Sequence, residues 1–183
     1  MTREQFVSNL SYWNSYLPLL WEALQNTDGE VIELGIGDGS TLKLHEYCQK
    51  NGRKLSSYES DLTFYKQFEN LISNNHHIEY IGNNWEPMIE QHRKPIGVLF
   101  SDEAPGEMRK YNISMFCNTA QVIVAHDAEP NNDGGYKYSF LKPLFKYSIL
   151  HEYPGASTAA FSNFIDVSKW VVDQNKTSEL MNS

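Results

Sequence analysis

The sequence predicts an α/β protein: a doubly wound, mostly parallel seven-stranded sheet with helices on both faces. Three observations predict it. Short apolar runs alternate with amphipathic segments along nearly the whole chain, the pattern of strands joined by crossover helices. The runs at 31–34, 96–100 and 121–125 are apolar almost throughout, as strands covered on both faces are. Three glycines within residues 35–39 stop the first run and lead into a helix.

Residues 2–26 carry Phe6, Leu10, Trp13, Leu17, Leu20, Trp21 and Leu24 at spacings of three and four, which trace one helical face. Pro18 splits this segment and starts a second helix, with Ser15 as a candidate cap. The pair Asp28-Gly29 ends it. Val31–Leu34 is the first strand. Residues 40–50 read as a helix closed by Asn51-Gly52, and 55–58 as the second strand. Asp61 caps a helix whose apolar face is Phe64, Phe68, Leu71 and Ile72. Strands at 77–81, 96–100 and 121–125 follow, with a helix at 106–118 between the last two. The polar, glycine-rich stretch 129–135 reads as a surface loop and 136–144 as a short helix. Residues 147–153 and 159–167 close the sheet around Pro154-Gly155. The expected organisation is a helical segment at 1–27 packed on the domain, a ligand-binding α/β domain at 28–172, and a tail at 173–183.

A chain of 183 residues suits one core. Its net charge of -8 repels a phosphate backbone, so nucleic acid is not the expected partner. No apolar run approaches the roughly 20 residues of a membrane span. The N-terminal MTREQFVSNL lacks the apolar centre of a secretory signal, which points to the cytoplasm. Cys48 and Cys117 stand alone in helix-like segments and read as small buried hydrophobes, without a disulfide framework or a CxxC metal site. A homo-oligomer is compatible with all of this.

Open parallel sheets bind ligands beyond the carboxyl ends of their strands, where the strand order reverses. The candidate residues are therefore those just after each strand. Gly35, Gly37 and Gly39 allow a tight turn and close approach of a ligand to the backbone. The helix starting near Ser40 adds free backbone N–H groups. The spacing G-x-G-x-G differs from the dinucleotide fingerprint G-x-G-x-x-G, because Ser40 stands where the last glycine belongs. That counts against a nicotinamide oxidoreductase. Glu59, after the second strand, is placed to accept both hydroxyls of a ribose, with Asp61 as its competitor. Asp102 ends the fourth strand, and His126 and Asp127 end the fifth. Two carboxylates and an imidazole can bind a divalent ion such as Mg²⁺ or Mn²⁺. Alternatively, Asp102 caps the helix that begins near Pro105 and His126 simply hydrogen-bonds in the cleft. Residues 131–147 carry Asp133, Tyr136, Lys137, Tyr138, Phe140 and Phe145, and read equally as a cover over an acceptor or an ordinary connection. Arg109, Lys110 and Tyr111 read as the solvated face of a helix.

VIELGIGDGST followed by SYESD resembles motif I and the acidic second-strand end of the class I S-adenosylmethionine (SAM)-dependent methyltransferases. GVLFSDEAP and QVIVAHDAE are similar to that family's fourth and fifth strands. The resemblance spans roughly residues 15–168. It implies a Rossmann-like methyltransferase fold and SAM as cofactor. Glu33, Gly35, Gly37, Gly39 and Ser40 would surround the methionine part, and Glu59 the ribose. Asn83, Asn84 and Trp85 would lie near the adenine, with Trp85 as a stacking ring or a wall. Asp102 would hold the cofactor's amino group or, with Asp127, a metal ion such as Mg²⁺. That last arrangement is similar to the metal-assisted O-methyltransferases, but the lysine these place three residues beyond the fourth-strand acid is missing here. His126 is then the candidate base. The implied activity is methyl transfer to a small-molecule acceptor, at oxygen. The alternatives are other chemistry on SAM, a lyase or aminopropyl transfer, and binding alone.

Overall fold

A computed structural model describes residues 1–129 and 136–170 of the chain. Among these the sheet has β1 (Val31–Leu34), β2 (Leu55–Glu59), β3 (His76–Tyr80), β4 (Ile96–Ser101), β5 (Ala120–Ala125), β6 (Tyr147–His151) and β7 (Thr158–Ser162). Their order is β3-β2-β1-β4-β5-β7-β6. The first five run parallel, and β7 is antiparallel to both β5 and β6. The expected doubly wound sheet is thus present. The chain leaves β1 toward β2 on one side and returns to β4 on the other, so a crevice opens above β1 and β4.

The helices are α1 (Arg3–Phe6), α2 (Leu17–Gln25), α3 (Thr41–Asn51), α4 (Leu62–Phe68), α5 (Glu86–Gln91), α6 (Glu107–Met115) and α7 (Tyr138–Leu141). Strand side chains alternate between two cores. Val31, Val98, Phe100, Val122 and Val124 pack with Phe6, Leu17, Leu20 and Leu44 from α1, α2 and α3. Ile32, Leu34, Leu99 and Ile123 pack on the other face with Met88, Ile113, Phe116 and Leu141 from α5, α6 and α7. Each fully buried Leu, Ile or Phe contributes about 1.5–3 kcal/mol, so both layers are needed to hold the strands flat on each other. The N-terminal segment shares the first of these cores. No described helix is long and apolar enough to cross a membrane.

Several local expectations need correction. Residues 2–26 do not form one helical face: α1 stops at Phe6, a 3₁₀ turn spans Tyr12–Asn14, and α2 starts beside Pro18. Proline lacks the N–H that a continuous helix would need there, and it is tolerated only in a first turn. Trp13 is consequently 70% exposed. Ser15 does not cap α2; its hydroxyl donates to the Ala156 carbonyl instead, 2.7 Å away. Asp61 does cap α4, accepting from the Thr63 N–H at 2.6 Å. The α4 face is not buried, because β3 is the edge strand and leaves Phe64 and Ile72 in contact with solvent. Helix α5 went unpredicted although Asn84 and Pro87 mark its start, with the Asn84 side chain accepting from the Glu86 N–H. Cys48 is buried and Cys117 only half-buried. The loop expected within 129–135, including Asp133, lies outside the described residues from 130 onward, as does the tail at 173–183.

Candidate active site

The loop after β1 is built around two glycines with different tasks. Gly35 has φ +85°, and a Cβ there would stand 2.7 Å from the Asp102 carbonyl. Only glycine lets the β1 and β4 ends meet so closely. Gly37, by contrast, has nothing among the described residues within 4 Å of its Cβ position, which leaves this side open to a ligand. At Gly39 the space a side chain would take is filled by the Tyr16 hydroxyl and Asn14. The N-terminal 3₁₀ turn therefore lies directly over the glycine loop.

Glu33 does not point at this open side. It is fully buried, and its Oε1 accepts from Ser40 Oγ (2.5 Å) and Thr41 Oγ1 (3.0 Å) while Oε2 accepts from Ser57 Oγ (2.6 Å). Thr41 Oγ1 in turn accepts from the Gly37 N–H at 2.9 Å. Glu33 thus organises the first turn of α3 from beneath. Burial pushes its carboxyl up to about 7, against the pull of the three hydroxyls. Glu59 sits on the loop's other flank. Its Oε2 accepts from the Ile36 N–H (2.7 Å), and its Oε1 from the N–H groups of Ser60 (2.7 Å) and Asp61 (2.6 Å). Asp61 itself is turned away onto α4. The end of β3 lies alongside, since the Ile81 N–H donates to the Glu59 carbonyl at 2.9 Å. Asn84 is exposed there. Trp85 is 2% exposed in the second core, and its indole N–H finds no partner among the described residues.

The third group does come together. Asp102, His126 and Asp127 present ligand atoms that all lie within 4.8 Å of one another, a set able to hold a metal ion. A fourth residue, Arg109, joins them. The solvated face expected for it is wrong: Arg109 is 5% exposed, with Nη2 3.0 Å from Asp102 Oδ1 and Nη1 3.3 Å from Asp127 Oδ2. Its Nε donates to the Glu103 carbonyl and its Nη1 to that of His126. The helical spacing held the signal: Arg109, Asn112, Ile113 and Phe116 share one face of α6, and all four are buried.

His126 is held from both ring nitrogens. Nδ1 lies 3.2 Å from Asp102 and 3.5 Å from Asp127. Nε2 lies 3.2 Å from the Tyr12 carbonyl and 3.2 Å from Ser15 Oγ, whose own hydrogen goes to Ala156. Every one of these neighbours is an acceptor, an arrangement that fits the doubly protonated imidazolium. Burial pulls the His126 pKa down, but the hydrogen bond and charge of Asp102, with Asp127, outweigh it and raise it above the ordinary value. Two carboxylates then face two cations. Ser15, Tyr12 and Arg109 were not among the site candidates read from the sequence; Glu103, one of the residues just after the fourth strand, is buried beside them with Ser101 and Asn112 as donors.

No family model and no curated protein matches this chain. Solved structures do. A human methyltransferase 10 domain containing protein superposes with TM-score 0.60 at 12% identity, covering 84% of this chain and 84% of the other. An rRNA methylase from Streptococcus thermophilus gives 0.59 at 12%, covering 81% and 97%. The O-methyltransferase from Bacillus cereus in complex with SAH gives 0.58 at 12%, covering 84% and 82%. This chain has the methyltransferase fold. Within that fold the glycine turn, Glu59 and the Asp102–His126 cluster all stand at the carboxyl edge, on both sides of the switch between β1 and β4.

Proposed function

We propose that this chain is a SAM-dependent methyltransferase acting on a small-molecule acceptor at oxygen. The observation that carries it is the open side of Gly37 at the switch point, flanked by the Glu59 carboxylate and by the Asp102–His126 pair on the adjacent strands. The fold supports the same reading. Residues 35–39 and the first turn of α3 would take the methionine part of the cofactor, Glu59 the ribose, and the 83–85 turn the adenine side. SAM supplies a reactive methyl group, so the protein has only to align an acceptor and remove its proton.

An acceptor hydroxyl would reach His126 at Nε2 by taking the place of the Tyr12 carbonyl and the Ser15 hydroxyl. In its neutral form, with Asp102 orienting Nδ1–H, His126 can take the proton. Arg109 supports transfer without a divalent ion, because its guanidinium already lies between the carboxylates of Asp102 and Asp127. A dication placed on the same oxygens would be repelled by the guanidinium that already holds them at 3.0–3.3 Å. A cavity of about 440 Å³, lined among others by Ala128, Tyr138, Ile149, Ala159 and Phe161, supports a small acceptor. Tyr138 forms part of its wall and donates to the His126 carbonyl at 2.7 Å, which ties the cavity to the cluster. The net charge of -8 favours such an acceptor over a polyanion.

Calorimetric titration with SAM and with SAH tests the reading. Binding is expected in the unmodified chain and lost in Gly37→Val, whose Cβ meets none of the described residues within 4 Å. Retained binding in Gly37→Val overturns this cofactor placement. Breakdown of SAM with no acceptor present would point instead to lyase chemistry.

A further inference from the structure

A chain of hydrogen bonds runs from the buried Glu33 to the surface of α3. Ser57 Oγ lies 2.6 Å from Glu33 Oε2 and 2.9 Å from His76 Nε2. His76 Nδ1 lies 2.9 Å from His45 Nδ1. His76 is 1% exposed, whereas His45 is half-buried and meets solvent. Protonation along this chain has a single consistent direction. An ionised Glu33 only accepts, so the Ser57 hydroxyl donates to it. His76 must then donate Nε2–H to Ser57 and accept at Nδ1 from His45 Nδ1–H. Three donors in series all point at Glu33.

We propose that His45, His76 and Ser57 form a relay that carries a proton between solvent and the Glu33 carboxyl, and that the charge of Glu33 sets the glycine loop above it. Protons balance at each step. A proton reaching His45 Nε2 from water releases Nδ1–H to His76 Nδ1. His76 passes its Nε2 proton to Ser57 Oγ, and Ser57 passes its own to Glu33 Oε2. Both imidazoles end neutral in the opposite tautomer, and Glu33 ends as the neutral acid, donating to Ser57. No group other than Glu33 changes charge. Loss of that charge weakens the hold on Ser40 and Thr41, and through Thr41 on the Gly37 N–H.

The surroundings favour titration of Glu33 over its neighbours. Burial holds its carboxyl near 7, and the charge of Glu59 on β2 adds to this. Burial, with His45 and His77 nearby, pushes His76 down to about 3, so it passes a proton without keeping one. Burial also lowers His45, partly offset by Glu46 on α3. Tyr16, before α2, and the Cys48 thiol on α3 also feel the Glu33 charge; burial raises both, Cys48 to about 12, so they stay neutral.

The relay is tested without any ligand, by infrared difference spectroscopy after a jump from about pH 8 to about pH 6. The carbonyl band of a protonated acid should appear with a midpoint near 7 and be absent in Glu33→Gln. His76→Gln keeps a donor to Ser57 and an acceptor for His45 but cannot pass a proton through its amide. It should slow the appearance of the band by about tenfold or more while leaving its final size unchanged. Ser57→Ala should do the same, and serves if the first variant does not fold. Equal rates in the variants and the unmodified chain, or no such band in this pH range, overturn the relay. The loop's dependence on Glu33 rests on the SAM reading. SAM affinity should fall as pH drops through the Glu33 titration and stay flat in Glu33→Gln. A flat profile in both, beside a normal infrared titration, overturns that half alone. A chain that binds no SAM at any pH overturns the cofactor reading and leaves the infrared result standing.

Discussion

The Arg109 guanidinium lies 3.0 Å from the Asp102 carboxylate, and the same group reaches Asp127 at 3.3 Å. One buried cation thus ties together the ends of β4 and β5. Removing it leaves two carboxylates facing each other, takes the Arg109 donor from the Glu103 carbonyl and leaves the His126 carbonyl to the Tyr138 hydroxyl. Arg109→Met is expected to cost about 3 kcal/mol of stability in urea denaturation, the scale for breaking a buried pair on one side. Arg109→Lys should recover only part, because an ammonium cannot reach both carboxylates and both carbonyls at once. A loss below about 0.5 kcal/mol in Arg109→Met would show the cluster to be held by other means.

The same pairing bears on metal dependence. With the Arg109 guanidinium already between the two carboxylates, chelation should leave methyl transfer unchanged. Titrating Mg²⁺ into the protein should release no heat attributable to a specific site. Activity abolished by a chelator and restored by Mg²⁺ would reverse this expectation and assign the ion to Asp102, His126 and Asp127.

The glycines of the loop should separate folding from binding. Gly35→Ala places a Cβ at φ +85° against the Asp102 backbone, so it should lower stability by about 2 kcal/mol or more. Gly37→Ala meets none of the described residues within 4 Å and should leave the melting temperature nearly unchanged. Parallel thermal melts of the two variants check the contrast. Equal destabilisation would mean that the loop is not arranged as described.

Glu33 should leave a mark on stability as a function of pH. Its folded pKa of about 7 lies above the ordinary carboxyl value, so the folded state holds an extra proton between the two. Its contribution is therefore greatest at low pH and falls as pH rises from about 4.5 to about 7, by an amount on the order of 3 kcal/mol. Denaturation curves collected across that range should show the fall in the unmodified chain. In Glu33→Gln this part of the dependence should vanish. An unchanged pH profile in the variant would place the carboxyl's titration elsewhere.

His126 carries the opposite sign. Its folded pKa is raised, so its contribution to stability is complete below the unfolded value of about 6.5 and is lost as pH rises through the folded one. Base function needs the neutral ring. Methyl transfer should therefore increase with pH through that same titration, which proton NMR of the imidazole can locate independently. A rate that falls over this interval would exclude His126 as the base.

The strands were legible because their signal is local. An apolar run such as 121–125 must be buried on both faces whatever surrounds it. The glycine turn was legible for the same reason, since only glycine accepts the backbone of Gly35. Glu59 was found by its place after β2, and the Asp102, His126 and Asp127 set by its place after β4 and β5. Arg109 was misread because charge suggested solvent, although its spacing to Ile113 and Phe116 placed it inward. Ser15 and Tyr12 were illegible: they lie 111 and 114 residues from His126, and no local pattern joins them.

The sequence alone therefore determined the sheet, its switch point and which residues stand at its carboxyl edge, because periodicity and turn chemistry act within a few positions along the chain. The tertiary structure decided what those residues touch. It turned Glu33 away from the open cleft into a cage of hydroxyls, set Arg109 between two carboxylates and laid the N-terminal turn over Gly39. Those outcomes depend on charges and donors brought together from distant segments, where burial and pairing, rather than local preference, set the energy.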